Sequence, residues 1–127
     1  MVKRVLGWLL SLRQASTPAF PPLPDVAWRA PWGPIPEDSA RRVAAELRLE
    51  LGPDHALRGQ LVRAVAWRRD QDDVLFQLGH SVEVAVVHLT WKGKAEPDPL
   101  FPETVRYRSL QEWVARGMGS DADDWET

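Results

Sequence analysis

The chain has 127 residues, no cysteine and a formal net charge of −2 at neutral pH. This length fits one domain with a core of its own, and the lack of cysteine excludes disulfides and thiolate metal sites. A nearly neutral molecule also lacks the strong positive field that attracts nucleic acids and anionic membranes. With 44% hydrophobic and 27% charged residues, we expect a single folded domain, located in the cytoplasm.

Residues 2–13 have the spacing of a short amphipathic helix, with basic residues on its flanks. The apolar positions are Val2, Val5, Leu6 and Leu9. The segment has the outline of a signal peptide, but its apolar stretch ends at Arg13 and no small-residue cleavage site follows. It is too short to span a bilayer as a helix. We therefore expect it to dock on its own domain, a second copy, a protein partner or a membrane surface.

Residues 18–36 contain seven of the eleven prolines. Proline fixes φ and removes a backbone donor, so neither a helix nor a central strand is expected here. The aromatic residues Phe20, Trp28 and Trp32 argue against a freely solvated linker. We predict an extended Pro-rich arm that lies along the domain with these side chains packed against it.

The rest of the chain changes from helical to strand periodicity and back. The predicted elements are a helix at about 37–51, strands at 61–67, 74–78, 82–91 and 104–107, and a final helix after Ser109. The third strand is apolar on both faces, which predicts a central position. Ser109 and Glu112 form a capping box, and Gly117 and Gly119 are expected to end the last helix.

These elements predict an α+β fold, because runs of strands lie between helices. Short connections favour antiparallel neighbours, so the core is predicted to be a three- or four-stranded antiparallel meander sheet packed by helices. The N-terminal helix and Pro-rich arm (1–36) form an extension to the α+β domain (37–119). An acidic flexible tail (120–127) follows.

The end of the third strand carries the candidate ligand-binding residues. His88 and Thr90 share one face of the strand, Trp91 lies at the end of the other face, and Trp67 lies on a neighbouring strand. An imidazole at the end of a sheet can line a pocket. The alternative is a core histidine that is hydrogen-bonded to Thr90, a backbone carbonyl or a carboxylate.

Three carboxylates, Asp70, Asp72 and Asp73, lie in the first hairpin turn. Asp72 or Asp73 together with His88 is the candidate catalytic pair, but aspartates are also favoured in turns because they bind backbone amides. The spacing does not match a calcium loop, and the three histidines lack zinc spacing. The sequence therefore predicts no metal site and no cofactor, and it contains no serine elbow or phosphate loop.

Arg63, Trp67 and Arg69 share one side of the first strand and resemble a basic, aromatic nucleic-acid surface. Charged residues also protect the exposed edges of sheets. We favour this second interpretation, so nucleic acid is not an expected partner.

Two segments resemble a group of small uncharacterised bacterial proteins. They are residues 64–76, which contain D-D-V-L-F, and residues 86–96, which contain V-V-H-L-T-W, with Pro102 and Trp113 behind them. The likeness covers roughly residues 40–118. The resemblance implies a bacterial protein but no activity, and the N-terminal helix and Pro-rich arm are additions to the shared pattern.

The leading hypothesis is a non-catalytic protein-interaction or small-ligand-binding module of a bacterial cytoplasmic protein. One alternative is a small hydrolase-like or metal-dependent enzyme that uses His88 with Asp72 or Asp73. Another is a peripheral membrane protein that associates through residues 2–13. A homodimer or a protein partner is also expected, through the N-terminal helix and exposed tryptophans.

Overall fold

Five strands form one antiparallel meander sheet in the computed structural model, which describes residues 19–126. Helices flank the strands in the chain. The elements are β1 (Trp32–Pro34), α1 (Glu37–Glu50), β2 (Val62–Arg68), β3 (Asp73–Leu78), β4 (Val84–His88), β5 (Glu103–Tyr107), α2 (Leu110–Trp113) and α3 (Gly119–Glu126). The helix predicted for residues 2–13 lies outside the described residues.

The spatial order of the strands is β1-β2-β3-β4-β5, with every neighbouring pair antiparallel. The predicted α+β class and antiparallel meander are confirmed, but the sheet has five strands rather than three or four. The additional strand is β1, which comes from the Pro-rich arm and pairs Trp32 with Arg68. Proline is tolerated there because β1 is an edge strand.

The strand predicted over 82–91 is β4, which pairs with β3 on one edge and β5 on the other, so its predicted interior position is confirmed, and β3 is the middle strand of the five. In β3, every residue after Asp73 is buried. Strand β4 is shorter than predicted and ends at His88, because backbone N–H groups that follow it bind a side chain of α1. Those of Thr90 and Trp91 donate to the Glu50 carboxylate instead of continuing the ladder.

One face of the sheet packs against α1. Helix α1 follows Pro36 and carries acidic residues in its first turn, which complements the helix dipole. Its buried residues include Val43, Ala44 and Leu47, as the helical spacing predicted. They pack with the side chains that β2, β3 and β4 direct to this face, among them Phe76.

The opposite face packs against the Pro-rich arm and the C-terminal helices. Trp113 is fully buried here. Its ring lies 5.0 Å from that of Trp32 and 6.3 Å from that of Trp28, measured between centroids. The Trp32 indole N–H donates to Asp121 Oδ2 at 2.9 Å. The arm is therefore packed through its aromatic residues, as predicted.

The C-terminal helix begins as predicted but continues further. The Ser109 hydroxyl accepts the Glu112 N–H at 3.1 Å, as expected of the N-terminal cap. A π-helical turn at Val114–Met118 then leads directly into α3. Neither Gly117 nor Gly119 ends the helix, and residues 120–126 of the acidic tail that was predicted over 120–127 belong to α3.

Among residues 19–126, no helix combines the length and the apolar composition needed to cross a membrane.

Candidate functional site: a cleft between Trp67 and Trp91

Two of the four predicted ligand-binding residues, Trp67 and Trp91, line the same cleft. The cleft has a volume of about 550 Å³ and lies on the α1 side of the sheet, at the β2–β3 hairpin. This volume is within the range of small-molecule sites. The structure places His88 in a different groove.

The cleft combines apolar walls with a polar rim. Its apolar lining consists of Pro34, Pro36, Val43, Trp67, Val74 and Trp91, and the hairpin adds Arg68, Arg69, Gln71, Asp72 and Asp73. A mainly apolar concavity with a few polar groups at one side is typical of ligand sites. Four elements contribute, so the cleft forms only in the folded domain.

Trp91 has an unusual backbone conformation. Its φ is 59°, in the left-handed region that bulky residues rarely adopt, and its side chain remains 45% exposed. Holding a residue in this region typically costs about 1–3 kcal/mol, and such residues concentrate at ligand clamps. The conformation therefore needs a compensating interaction.

Glu50 supplies that interaction from the end of α1. Its two carboxylate oxygens accept the N–H groups of Thr90 and Trp91, each at 2.9 Å. Glu46, one turn earlier, accepts the Gly93 N–H at 3.1 Å. The two side chains thus fix the loop after β4 and with it the position of Trp91.

The Glu50 side chain has no exposed surface, so the charged form of its carboxylate is destabilised by the loss of hydration. Burial, and next the hydrogen bond with Glu46, raise the pKa of Glu50 to about 7, although the two backbone N–H groups favour the charged form. Glu50 was not among the predicted site residues. Its position three residues after the buried Leu47, on the same helix face, was the available signal.

Thr90 does not join His88. The Thr90 hydroxyl is buried and interacts with the Glu50 side chain, and among residues 19–126 it forms no hydrogen bond with His88. The reason is that β4 ends at His88, and the chain then turns towards Glu50.

His88 pairs with Asp73, its neighbour on β3. His88 Nδ1 and Asp73 Oδ1 lie 2.6 Å apart, and half of the imidazole side chain is exposed. A carboxylate partner was one predicted alternative, although the histidine is at the surface rather than in the core. Asp72 instead accepts the Leu89 N–H through its main chain and lines the cleft.

The basic side chains of β2 are engaged within the domain. Arg63 donates to Gln77 Oε1 at 2.6 Å and lies over the Phe20 ring. Arg68 makes two hydrogen bonds to the Asp70 carboxylate, at 2.8 and 2.9 Å. The part of the chain that the structure describes also contains no group of three or more histidine or carboxylate residues arranged to hold a metal ion.

Comparison with known proteins found no matching family model, no matching curated protein and no matching solved structure.

Proposed function

We propose that this protein is a non-catalytic ligand-binding module and that its ligand occupies the cleft between Trp67 and Trp91. The observation that carries the proposal is the strained, half-exposed Trp91. The buried Glu50 carboxylate accepts the Trp91 N–H and so holds this residue at an unfavourable φ, with its indole lining the cleft. Without a ligand for the indole to contact, neither the buried carboxylate of Glu50 nor the strained backbone of Trp91 has an evident role.

The charges of the cleft indicate a ligand without net charge. Arg68 is neutralised by Asp70 and Asp121, and Asp73 is paired with His88. Arg69 and Asp72 contribute one charge of each sign at the rim. The indole surfaces suit a flat apolar or aromatic group, for which stacking and edge contacts contribute about 0.5–1.5 kcal/mol per ring pair.

The test uses indole as an uncharged aromatic probe, with NMR detection of the tryptophan side-chain N–H signals. We expect indole to shift the signals of Trp67 and Trp91 in a saturable manner. Trp91→Ala should weaken binding about tenfold, because one aromatic wall is lost. Trp125→Ala removes a comparably exposed indole outside the cleft and is the matched control. Equal effects of the two substitutions would contradict the proposal.

A second candidate function is acid–base catalysis by His88. The 2.6 Å contact with Asp73 fixes the orientation of the imidazole and leaves its other nitrogen for a substrate. No hydroxyl group among residues 19–126 is hydrogen-bonded to His88, so the pair would activate water rather than a protein nucleophile.

Hydrolysis of an activated ester such as 4-nitrophenyl acetate tests this second function. His88→Asn and Asp73→Asn should each reduce the rate by about 10²-fold or more, the typical contribution of a positioned base. His80→Asn changes an exposed histidine in the β3–β4 turn and is the control. If His88→Asn and His80→Asn hydrolyse the ester equally, His88 is not catalytic.

Location and partners are also proposals. The absence of cysteine supports a cytoplasmic bacterial protein, in line with the resemblance noted above. Contact with a second copy, a protein partner or a membrane surface through residues 2–13 is supported only by the spacing of their apolar side chains.

A further inference from the structure

The two edges of the five-stranded sheet differ in how they are protected from pairing with another chain. The edge strand β1 has three residues, includes Pro34 and begins at the buried Trp32. The edge strand β5 has five residues and contains neither proline nor lysine. Short length and proline both discourage the addition of a further strand, whereas a longer regular edge permits it. The β5 edge therefore lacks the protection that β1 has.

Alternate main-chain groups of β5 point away from the sheet. The Leu78 N–H donates to the Glu83 carbonyl, and hydrogen-bonded pairs recur at every second residue of an antiparallel ladder. The hydrogen-bonded pairs between β4 and β5 are consequently Val84–Tyr107, Val86–Val105 and His88–Glu103. The N–H and carbonyl groups of Thr104 and Arg106 therefore point outwards, and no strand among residues 19–126 pairs with them.

Exposed apolar side chains accompany these outward main-chain groups. Val105, the middle residue of β5, is 55% exposed, and Leu100 and Phe101 shortly before the strand are exposed as well. Val105 and its cross-strand neighbour Val86 line an open groove of about 290 Å³. A strand added beside β5 would cover Val105 and bind the outward main-chain groups at the same time.

One antiparallel register makes β5 complementary to itself. When Thr104 lies opposite Arg106 of a second copy, the symmetry places Arg106 opposite Thr104 of that copy as well. All the outward N–H and carbonyl groups of the two residues are then hydrogen-bonded across the junction. The Val105 side chains of the two copies meet at the twofold axis, where a non-hydrogen-bonded pair brings side chains closest together.

The alternative registers, shifted by two residues, are less favourable. One of them places Arg106 opposite itself, and like charges directly opposite each other are destabilising. The other brings Pro102 opposite Arg106, but proline has no N–H to donate and the Pro102 carbonyl already accepts the Thr104 hydroxyl. In the register centred on Val105, Arg106 faces an uncharged threonine, and its charge is paired with Glu83 at 2.8 Å.

We infer that β5 pairs with β5 of a second copy, in the antiparallel register centred on Val105, so that the two sheets become continuous across a symmetric dimer. A contact made mainly by one pair of strands is small for a protein interface, so the expected dimer is weak, with a Kd of about 10–100 µM. The cleft between Trp67 and Trp91 takes no part in this contact.

Sedimentation equilibrium of the full chain between about 5 and 500 µM tests whether the dimer forms in this range of Kd. Val105→Lys places two ammonium groups side by side and should raise the Kd at least about tenfold. Leu49→Lys changes a residue of α1 that is equally exposed, at 54%, and should dimerise as the natural protein does. A chain that stays monomeric throughout, or equal Kd values for the two variants, would overturn the inference.

A single introduced thiol tests the register, because the chain contains no cysteine. In the inferred dimer the Cα atoms of the two Val105 residues are about 4.5 Å apart, within the range of about 4.4–6.8 Å that a disulfide spans. Those of the two Glu103 residues, on the same face, are about 14 Å apart. Under mild oxidation Val105→Cys should therefore form a covalent dimer at least about tenfold faster than Glu103→Cys. Equal rates of cross-linking would show that the strands do not pair in this register.

Discussion

Glu50→Gln is expected to remove a pH dependence of about 2–3 kcal/mol in the free energy of unfolding between pH 5 and pH 8. The pKa of Glu50 is raised in the folded protein to about 7, from 4.5. The folded state therefore holds a proton that the unfolded state releases in this range. The resulting stability is present below pH 4.5 and is lost as the pH rises towards 7.

Urea denaturation of both proteins at several pH values measures this difference. Glutamine has nearly the shape of glutamate but no charge, so the stability of the Glu50→Gln variant should change less with pH. Its free energy of unfolding should therefore rise relative to that of the natural protein as the pH rises. Glu37→Gln, an exposed change in the same helix, is the control and should follow the natural protein. Parallel pH profiles for Glu50→Gln and the natural protein would contradict the raised pKa.

Trp113→Ala is expected to have the largest effect on stability, a loss of about 3–5 kcal/mol, as for other buried aromatic residues. Trp113 is completely buried and contacts the rings of Trp28 and Trp32. Removal of the indole therefore leaves a cavity between the Pro-rich arm and the C-terminal helices. A change of this size is a large fraction of the stability of a small domain.

Thermal and urea unfolding of Trp113→Ala can be compared with those of Trp125→Ala. Trp125 is half-exposed on α3, so its loss should change the unfolding free energy by no more than about 0.5 kcal/mol. If the two variants are equally stable, Trp113 does not join the arm to the helices.

The sequence was informative where one periodicity or one capping residue decides the local structure. The apolar spacing of α1, the hairpin of β2 and β3 and the Ser109 cap were predictable for this reason. The strand at Trp32–Pro34 was not, because proline disfavours strands locally and the contacts that stabilise it, with β2 and with Trp113 and Asp121, are all distant in sequence. Gly117 and Gly119 suggested a helix end. In the structure, Gly117 is required for a different reason, because the Trp113 ring packs so closely on it that a side chain would not fit.

The candidate sites were predicted in part. Of the four predicted ligand-binding residues, Trp67 and Trp91 line one cleft, whereas His88 and Thr90 lie outside it. The pairing of His88 with Asp73 followed from strand register, which the short hairpin made foreseeable. Glu50 was missed because nothing local in the sequence shows that a glutamate 40 positions before Thr90 binds its N–H. Contacts of this kind depend on the complete tertiary structure.

The contacts between the Pro-rich arm and α3 also determine when the domain can be completed during synthesis. The hydrogen bond from Trp32 to Asp121 spans 89 positions and the ion pair of Arg29 with Asp123 spans 94. The strands from β2 to β5 pair with sequential neighbours and can form as they leave the ribosome. Trp32 loses its solvent contact only after α3 has emerged, so a nascent chain carries an exposed tryptophan at one edge of its sheet until then.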